Sequence, residues 1–165
     1  MNILKDIKLK ILVFGPNPST PSGAGFTKDL ANKRVEIKNA LIKDGHMAVF
    51  PEDLLKGSAD PDLDNTFLWE QMLVIEYDMV VNLVGSFGAV SELALFQKKN
   101  LAQKACLFFE KGHMDGLPYS HAQMIQRLGA TLNVYNYPLD LTSCNLMKSV
   151  REKANDLKIS KFYNS

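Results

Sequence analysis

Five short apolar runs, each followed by a helical pattern, constrain this chain more than any other feature. The runs are "LKILVFG" (9–15), "HMAVFP" (46–51), "DMVVNLVG" (78–85), "KACLFFE" (104–110) and "ATLNVY" (130–135). The intervening patterns cover 27–45, 64–77, 89–99, 119–129 and 141–157. The runs lack the apolar–polar alternation of a strand with one wet face. They therefore read as strands buried on both sides, and a strand–helix alternation of this kind implies a parallel sheet covered by helices on both faces. In the first helix, Thr27 is the expected N-cap, Asp29 lies in the first turn and Gly45 stands just past the end. Its inner face is expected to be Leu30, Ala31, Ile37, Leu41 and Ile42.

Right-handed crossovers then favour an α/β fold with a doubly wound, five-stranded parallel sheet in the flavodoxin-like order 2-1-3-4-5. With 165 residues and no linker or repeat, the chain reads as a single domain over 1–165. In that order the winding reverses between the first and third strands, and ligands bind outside the strand ends there. The loops leaving those strands are "GPNPSTPSGAGF" (15–26) and "GSFG" (85–88), the two Gly-rich loops of the sequence. The expected fold brings them together, which makes this the expected site.

Composition removes several classes of function. Nineteen Lys and Arg against eighteen Asp and Glu leave a formal charge of +1, without the basic excess typical of nucleic-acid binders. No run reaches the roughly 18 apolar residues of a membrane span, and "ILVFG" is too short for the core of a signal peptide. Cys106 and Cys144 form no CxxC and read as reduced thiols. We expect a cytoplasmic protein with no nucleic-acid or membrane partner. There is no GxSxG elbow and no GxxxxGK[ST] loop.

The helix after the third strand starts a nearly all-apolar stretch, "AVSELALF", that carries a single carboxylate, Glu92. A helix N-terminus suits phosphate or carboxylate, and Gly85 and Gly88 would let a ligand approach the backbone closely. A tight strand-to-helix turn explains the same glycines without a ligand. Ala89, Val90, Leu93, Ala94, Leu95 and Phe96 leave Glu92 little room for a wet face, and a buried acid needs a partner or a chemical role. The helix dipole should keep it ionised. A carboxylate beside a sugar site can attack a ribose anomeric carbon or stabilise the oxocarbenium-like transition state.

Here the sequence resembles the superfamily that groups nucleoside 2-deoxyribosyltransferases, LONELY GUY-type nucleotide phosphoribohydrolases and TIR-like NAD hydrolases. "LVFGP" and "GHMAVFPEDL" look like the deoxyribosyltransferase pattern, and "GSFGAVSE" has the spacing of the phosphoribohydrolase motif GGxGTxEE. The resemblance spans roughly residues 9–135. It implies that Glu92 is the catalytic carboxylate and that the reaction is N-glycosidic cleavage or ribosyl or deoxyribosyl transfer. Gly15, Pro16, Asn17, Asp53, Gly85, Ser86, Gly88 and Ala89 are the expected substrate contacts. The substrate would be a nucleoside or nucleotide, with NAD among the candidates, and no cofactor or metal is expected. Active sites in these families are commonly completed by a neighbouring subunit, which implies a homo-oligomer. Residues 85–91 lack the Asp that deoxyribosyltransferases usually carry before this helix. The phosphoribohydrolase Arg has no motif here, and Arg34 is a candidate only.

Two rival functions fit the same residues. A nucleotide sensor would use Glu92 only to hold a ribose hydroxyl. A protein-interaction module would dock a partner on Phe67 and Trp69 of the second helix; core packing explains these aromatics as well. "DPDLDN" (60–65) begins like a calcium loop, but Asn65 and Gln71 stand where a Gly and a Glu are needed. It reads instead as a solvated loop or a lid that brings Glu52 or Asp53 to a ribose hydroxyl. His46, His113 and His121 have no metal-ligand spacing. His121 and Tyr119 open the helix after strand four, within possible reach of the crevice.

Overall fold

The computed structural model describes residues 3–18, 25–55, 66–85, 92–113 and 116–165. Its centre is a five-stranded sheet formed by β1 (Lys10–Phe14), β2 (Met47–Val49), β3 (Met79–Leu83), β4 (Ala105–Glu110) and β5 (Thr131–Tyr135). The order is β2-β1-β3-β4-β5 and every pairing is parallel. The fold is thus α/β and flavodoxin-like, as the sequence pattern requires. In the central pair, Ile11 lies opposite Met79 and Phe14 opposite Asn82. Lys10 N–H donates to Asp78 Oδ2 at 2.8 Å, across a separation of 68 residues, and Lys161 Nζ donates to the same oxygen at 3.1 Å.

The apolar strand residues divide between two cores, as the two-residue period of a strand dictates. Ile11, Val13, Met79, Val81, Leu83, Cys106 and Phe108 pack with α1 (Phe26–Lys43) on one side. Leu12, Phe14, Val80, Leu107 and Phe109 pack on the other side with Leu93, Leu95 and Phe96. On the way along the chain lie α2 (Pro51–Leu55), α3 (Thr66–Glu76), α4 (Lys99–Ala102), α5 (Leu117–Arg127), α6 (Leu139–Thr142) and α7 (Asn145–Tyr163). α7 closes the first core through Leu146, Met147, Val150 and Ala154. No helix of the described residues is long and apolar enough to cross a membrane.

Several local expectations need correction. α1 starts at Phe26 with Gly25 at the N-cap, so Thr27 lies within the helix and caps nothing. At its other end Gly45 takes φ +96, the left-handed conformation that glycine adopts at low cost, and donates to Ile42 O at 3.0 Å. Ile42 is turned to solvent, while Lys33 and Arg34 are buried in its stead. Pro51 does not merely end the second strand: it opens α2, where a missing N–H costs nothing. The expected helix 89–99 is not one helix. Residues 92–93 are helical, Ala94–Phe96 tighten into a 3₁₀ turn, and Lys98 is extended before α4 begins. Leu93, Leu95 and Phe96 are all fully buried, and a tight turn followed by a break buries such a run where one continuous helix would turn part of it outward. The last helical pattern, read as 141–157, is two helices, and α7 runs on to Tyr163.

Candidate functional site

At the carboxyl end of β1 the chain turns through Gly15 and Pro16, and at the end of β3 through Val84 and Gly85. A methyl group built on Gly85 would stand 3.5 Å from Pro16 Cγ, so the two loops leaving these strands start side by side. The switch-point crevice expected from the topology thus has its two loop starts adjacent among the described residues.

Its floor is Arg34. The side chain is 1% exposed and uses every N–H donor it has. Nε and Nη2 donate to Val13 O at 3.0 and 2.7 Å. Nη1 donates to Pro16 O at 3.2 Å, and the Glu52 carboxylate takes one bond from each terminal nitrogen, Nη2 to Oε2 at 2.8 Å. The guanidinium also lies over the Phe50 ring, 4.2 Å from its centroid. Bidentate pairing of this kind fixes both partners in one geometry. Glu52 comes from the first turn of α2, so that short helix is what delivers the counter-ion. The arginine also explains Gly15: a Cβ there would meet Arg34 Cδ at 3.0 Å and Leu83 Cβ at 3.3 Å. Gly15 is a packing necessity above the arginine, in addition to any ligand contact.

Three carboxylates act on one another around this cation. Glu92 is partly buried and its pKa is pushed up to about 7, first by burial and then by Glu70, with Glu52 adding to the rise. Arg34 and the Asn82 amide pull it back down. The expectation that the helix dipole keeps Glu92 ionised is thus corrected: desolvation by burial and the neighbouring Glu70 and Glu52 charges outweigh it. Glu70, on α3, has its carboxyl raised by burial and by Glu52. Asn82 sits in the middle of β3 with no exposed surface, and neither its amide nitrogen nor its oxygen has a hydrogen-bond partner among the described residues. It is close enough to Glu92 to lower that acid's pKa, but no hydrogen bond of regular geometry joins them. A fully buried amide left unpaired costs stability, and such exceptions gather where a ligand or water completes the bonding.

Of the residues expected at the site, Glu92, Gly15, Pro16 and Gly85 meet at this crevice. Asn17 follows in the β1 loop and is exposed. Asp53 follows Glu52 in the first turn of α2, its Oδ2 4.0 Å from Lys38 Nζ, which lies 4.4 Å from the Phe50 centroid. Ser86, Gly88, Ala89 and the 60–65 loop lie outside the described residues. Glu70 and Asn82 form the part of the site that the sequence did not single out, and Arg34 stood there only as a candidate. Each had a signal: Arg34 continues the Leu30, Ile37, Leu41 spacing, Glu70 precedes buried Val74 and Tyr77 by four and seven residues, and Asn82 interrupts an apolar strand.

Tyr119 packs edge-on against Phe109 at 5.6 Å in the second core. His46 accepts from Leu9 N–H through Nδ1 at 3.2 Å, at the amino end of the sheet. Trp69 is half-buried, the side chain of Phe67 lies outside the description, and the exposed face of α3 is aliphatic: Leu68, Met72 and Ile75. Among the described residues no group of three or more His, Cys, Asp or Glu is placed to hold a metal ion. No family model matches the chain, and no curated protein matches it either.

Proposed function

We propose that this protein cleaves or exchanges the N-glycosidic bond of a nucleoside or nucleotide, with Glu92 acting at the anomeric carbon. The observation that carries this reading is a carboxylate held at about 7 in a crevice with a second raised carboxylate and one fully engaged arginine. Two acids whose environments differ are what acid–base work at a glycosidic centre requires. Ionised Glu92 attacks C1′ or stands against the oxocarbenium-like transition state, while the C1′–N bond breaks with its electron pair going to the base. The departing base takes up its proton from solvent. Water, or a second base in an exchange reaction, then takes the sugar. Arg34 holds Glu52 and the two loop starts in place and keeps part of the Glu92 population ionised. The motif resemblance supports the same assignment of Glu92.

The test is release of free base, followed by HPLC, from nucleosides, ribo- and deoxyribonucleotides and NAD, with Glu92→Gln in parallel. Base release that falls by about a hundredfold or more in the variant is expected for loss of a nucleophile or acid–base group. Nucleotide binding by thermal shift with no release from any substrate refutes catalysis and makes the protein a sensor.

A further inference from the structure

At the amino end of the sheet lies a second cleft, open to solvent, of about 440 Å³. Its walls are Lys5 from the 3₁₀ turn Ile3–Lys5, Asp44 and His46 from the α1–β2 connection, and Arg151, Asn155 and Lys158 from one face of α7. The path from Leu9 to Gly15 through β1, at roughly 3.3 Å per residue, separates it from the Glu92 crevice by about 20 Å. We propose that this cleft binds a phosphate dianion, free or carried as a monoester. Its chemistry does not depend on the glycosidic reading.

His46 supplies a fixed donor. Its ring is 8% exposed, and Nδ1 accepts the Leu9 N–H at 3.2 Å. In the neutral ring the proton must then sit on Nε2. Burial first, and the Lys158 charge next, hold the His46 pKa below its ordinary value against the opposing pull of Asp44, so the ring is neutral at pH 7. Nε2 has no hydrogen-bond partner among the described residues and is not sealed from solvent, which leaves its N–H for the cleft.

Charge adds to this donor. Lys5 and Lys158 make no ion pair or hydrogen bond among the described residues. Arg151 holds Asp44 through Nε and Nη2, at 2.8 and 3.2 Å, which leaves Nη1 unused. Three cations against one carboxylate leave two positive charges in surplus, although the whole chain carries a formal +1. Asp156, beside Asn155 on α7, acts on Lys153. A phosphomonoester carries about two negative charges near pH 7 and three strong acceptor oxygens, which answers both the surplus and the donors. Lysine ammoniums meet such a group as point charges, and Arg151 and His46 meet it with directed N–H bonds. The volume lies in the range of small-ligand sites, which leaves room for the ester group.

Calorimetry with inorganic phosphate at pH 7.5, against sodium chloride of equal ionic strength, should show saturable binding. Lys5 is exposed and Lys158 half-buried, so both tolerate alanine. Lys5→Ala and Lys158→Ala should each weaken binding about tenfold, as expected for one charge pair at short range. Lys8→Ala removes an exposed lysine outside the cleft and should leave binding unchanged. In a nitrogen-15 NMR titration the His46 Nε2 resonance should move with phosphate and saturate at the same concentration. Glycerol 2-phosphate separates the two sources: tighter binding than phosphate assigns a monoester, and weaker binding assigns the free ion. A response matched by sodium chloride, an equal loss in Lys8→Ala, binding that survives the double Lys5→Ala, Lys158→Ala variant, or a His46 resonance that stays in place would each overturn the proposal.

Discussion

Replacing Arg34 by methionine keeps most of the side-chain volume and removes the charge and all five donors. The loss can be sized from the surroundings. Removing one partner of a buried ion pair costs about 3–5 kcal/mol, because the other charge is left behind. Glu52 retains 28% side-chain exposure, so water takes over part of its solvation and the lower end applies, about 3 kcal/mol. The carbonyls of Val13 and Pro16 also lose charged donors, each bond of that kind being worth about 1.5–3 kcal/mol, which argues against a smaller figure. A domain with about 5–15 kcal/mol of stability survives this and can be measured. With a urea slope of about 2 kcal/mol/M, the unfolding midpoint should fall by about 1.5 M. The same change removes the cation that lowers Glu92, so the Glu92 pKa should rise and any limb of the activity–pH profile that tracks it should move to higher pH. A midpoint shift below about 0.5 M, or a pH limb that stays in place, would refute the account of Arg34 as both floor and charge regulator.

Glu92→Gln should stabilise the fold. The folded pKa of about 7 lies above the ordinary value of 4.5, so the native state binds more protons than the unfolded chain between these values and wild-type stability falls as pH rises through them. The variant's advantage should therefore be absent below about pH 4.5, grow to at most about 3 kcal/mol near pH 7, and stay level above; a variant less stable than wild type at pH 8 contradicts this. Gly15→Ala should cost about 1–3 kcal/mol by pressing on Arg34 and Leu83, read as a lowered urea midpoint, and an unchanged midpoint would show that the loop yields freely. Burial pushes the Cys106 thiol up to about 12 while Cys144 is exposed, so a thiol reagent at pH 8 should titrate one cysteine in the native protein and both in urea. Two fast thiols in the native state would contradict that burial.

The architecture was legible because strand burial leaves a pattern: "ILVF" in β1 and "ACLFF" in β4 have no polar position for a wet face. Parallel pairing and the winding reversal follow from that pattern, and with them the meeting of Gly15–Pro16 and Gly85. What the pattern could not convey was charge inside it. Arg34 stood only as a candidate because a lone cation on an apolar face has no sequence mark for its counter-ion, which here arrives 18 residues later on a helix that Pro51 disguises as a strand end. Glu70 was passed over for the same reason, its partners being Glu52 and Glu92 on other elements. The break at Lys98 escaped notice because helix propensity does not record how many consecutive side chains the core demands.

The pairing of β1 with β3 also governs when the molecule can acquire its chemistry. β1 is synthesised early, but its central neighbour lies 68 residues downstream, and closing so long a loop carries its entropic cost before any contact rewards it. On a ribosome, β1 could pair only with β2 until the chain had grown past Leu83 and cleared the exit tunnel. The two loop starts join in that one late event. Arg34 and Glu52 can bond early, but the crevice above them waits for β3 and the segment bearing Glu92. Commitment to the sheet and completion of the site are then a single kinetic step, so variants slow to fold should recover native fluorescence and ligand binding with the same time course.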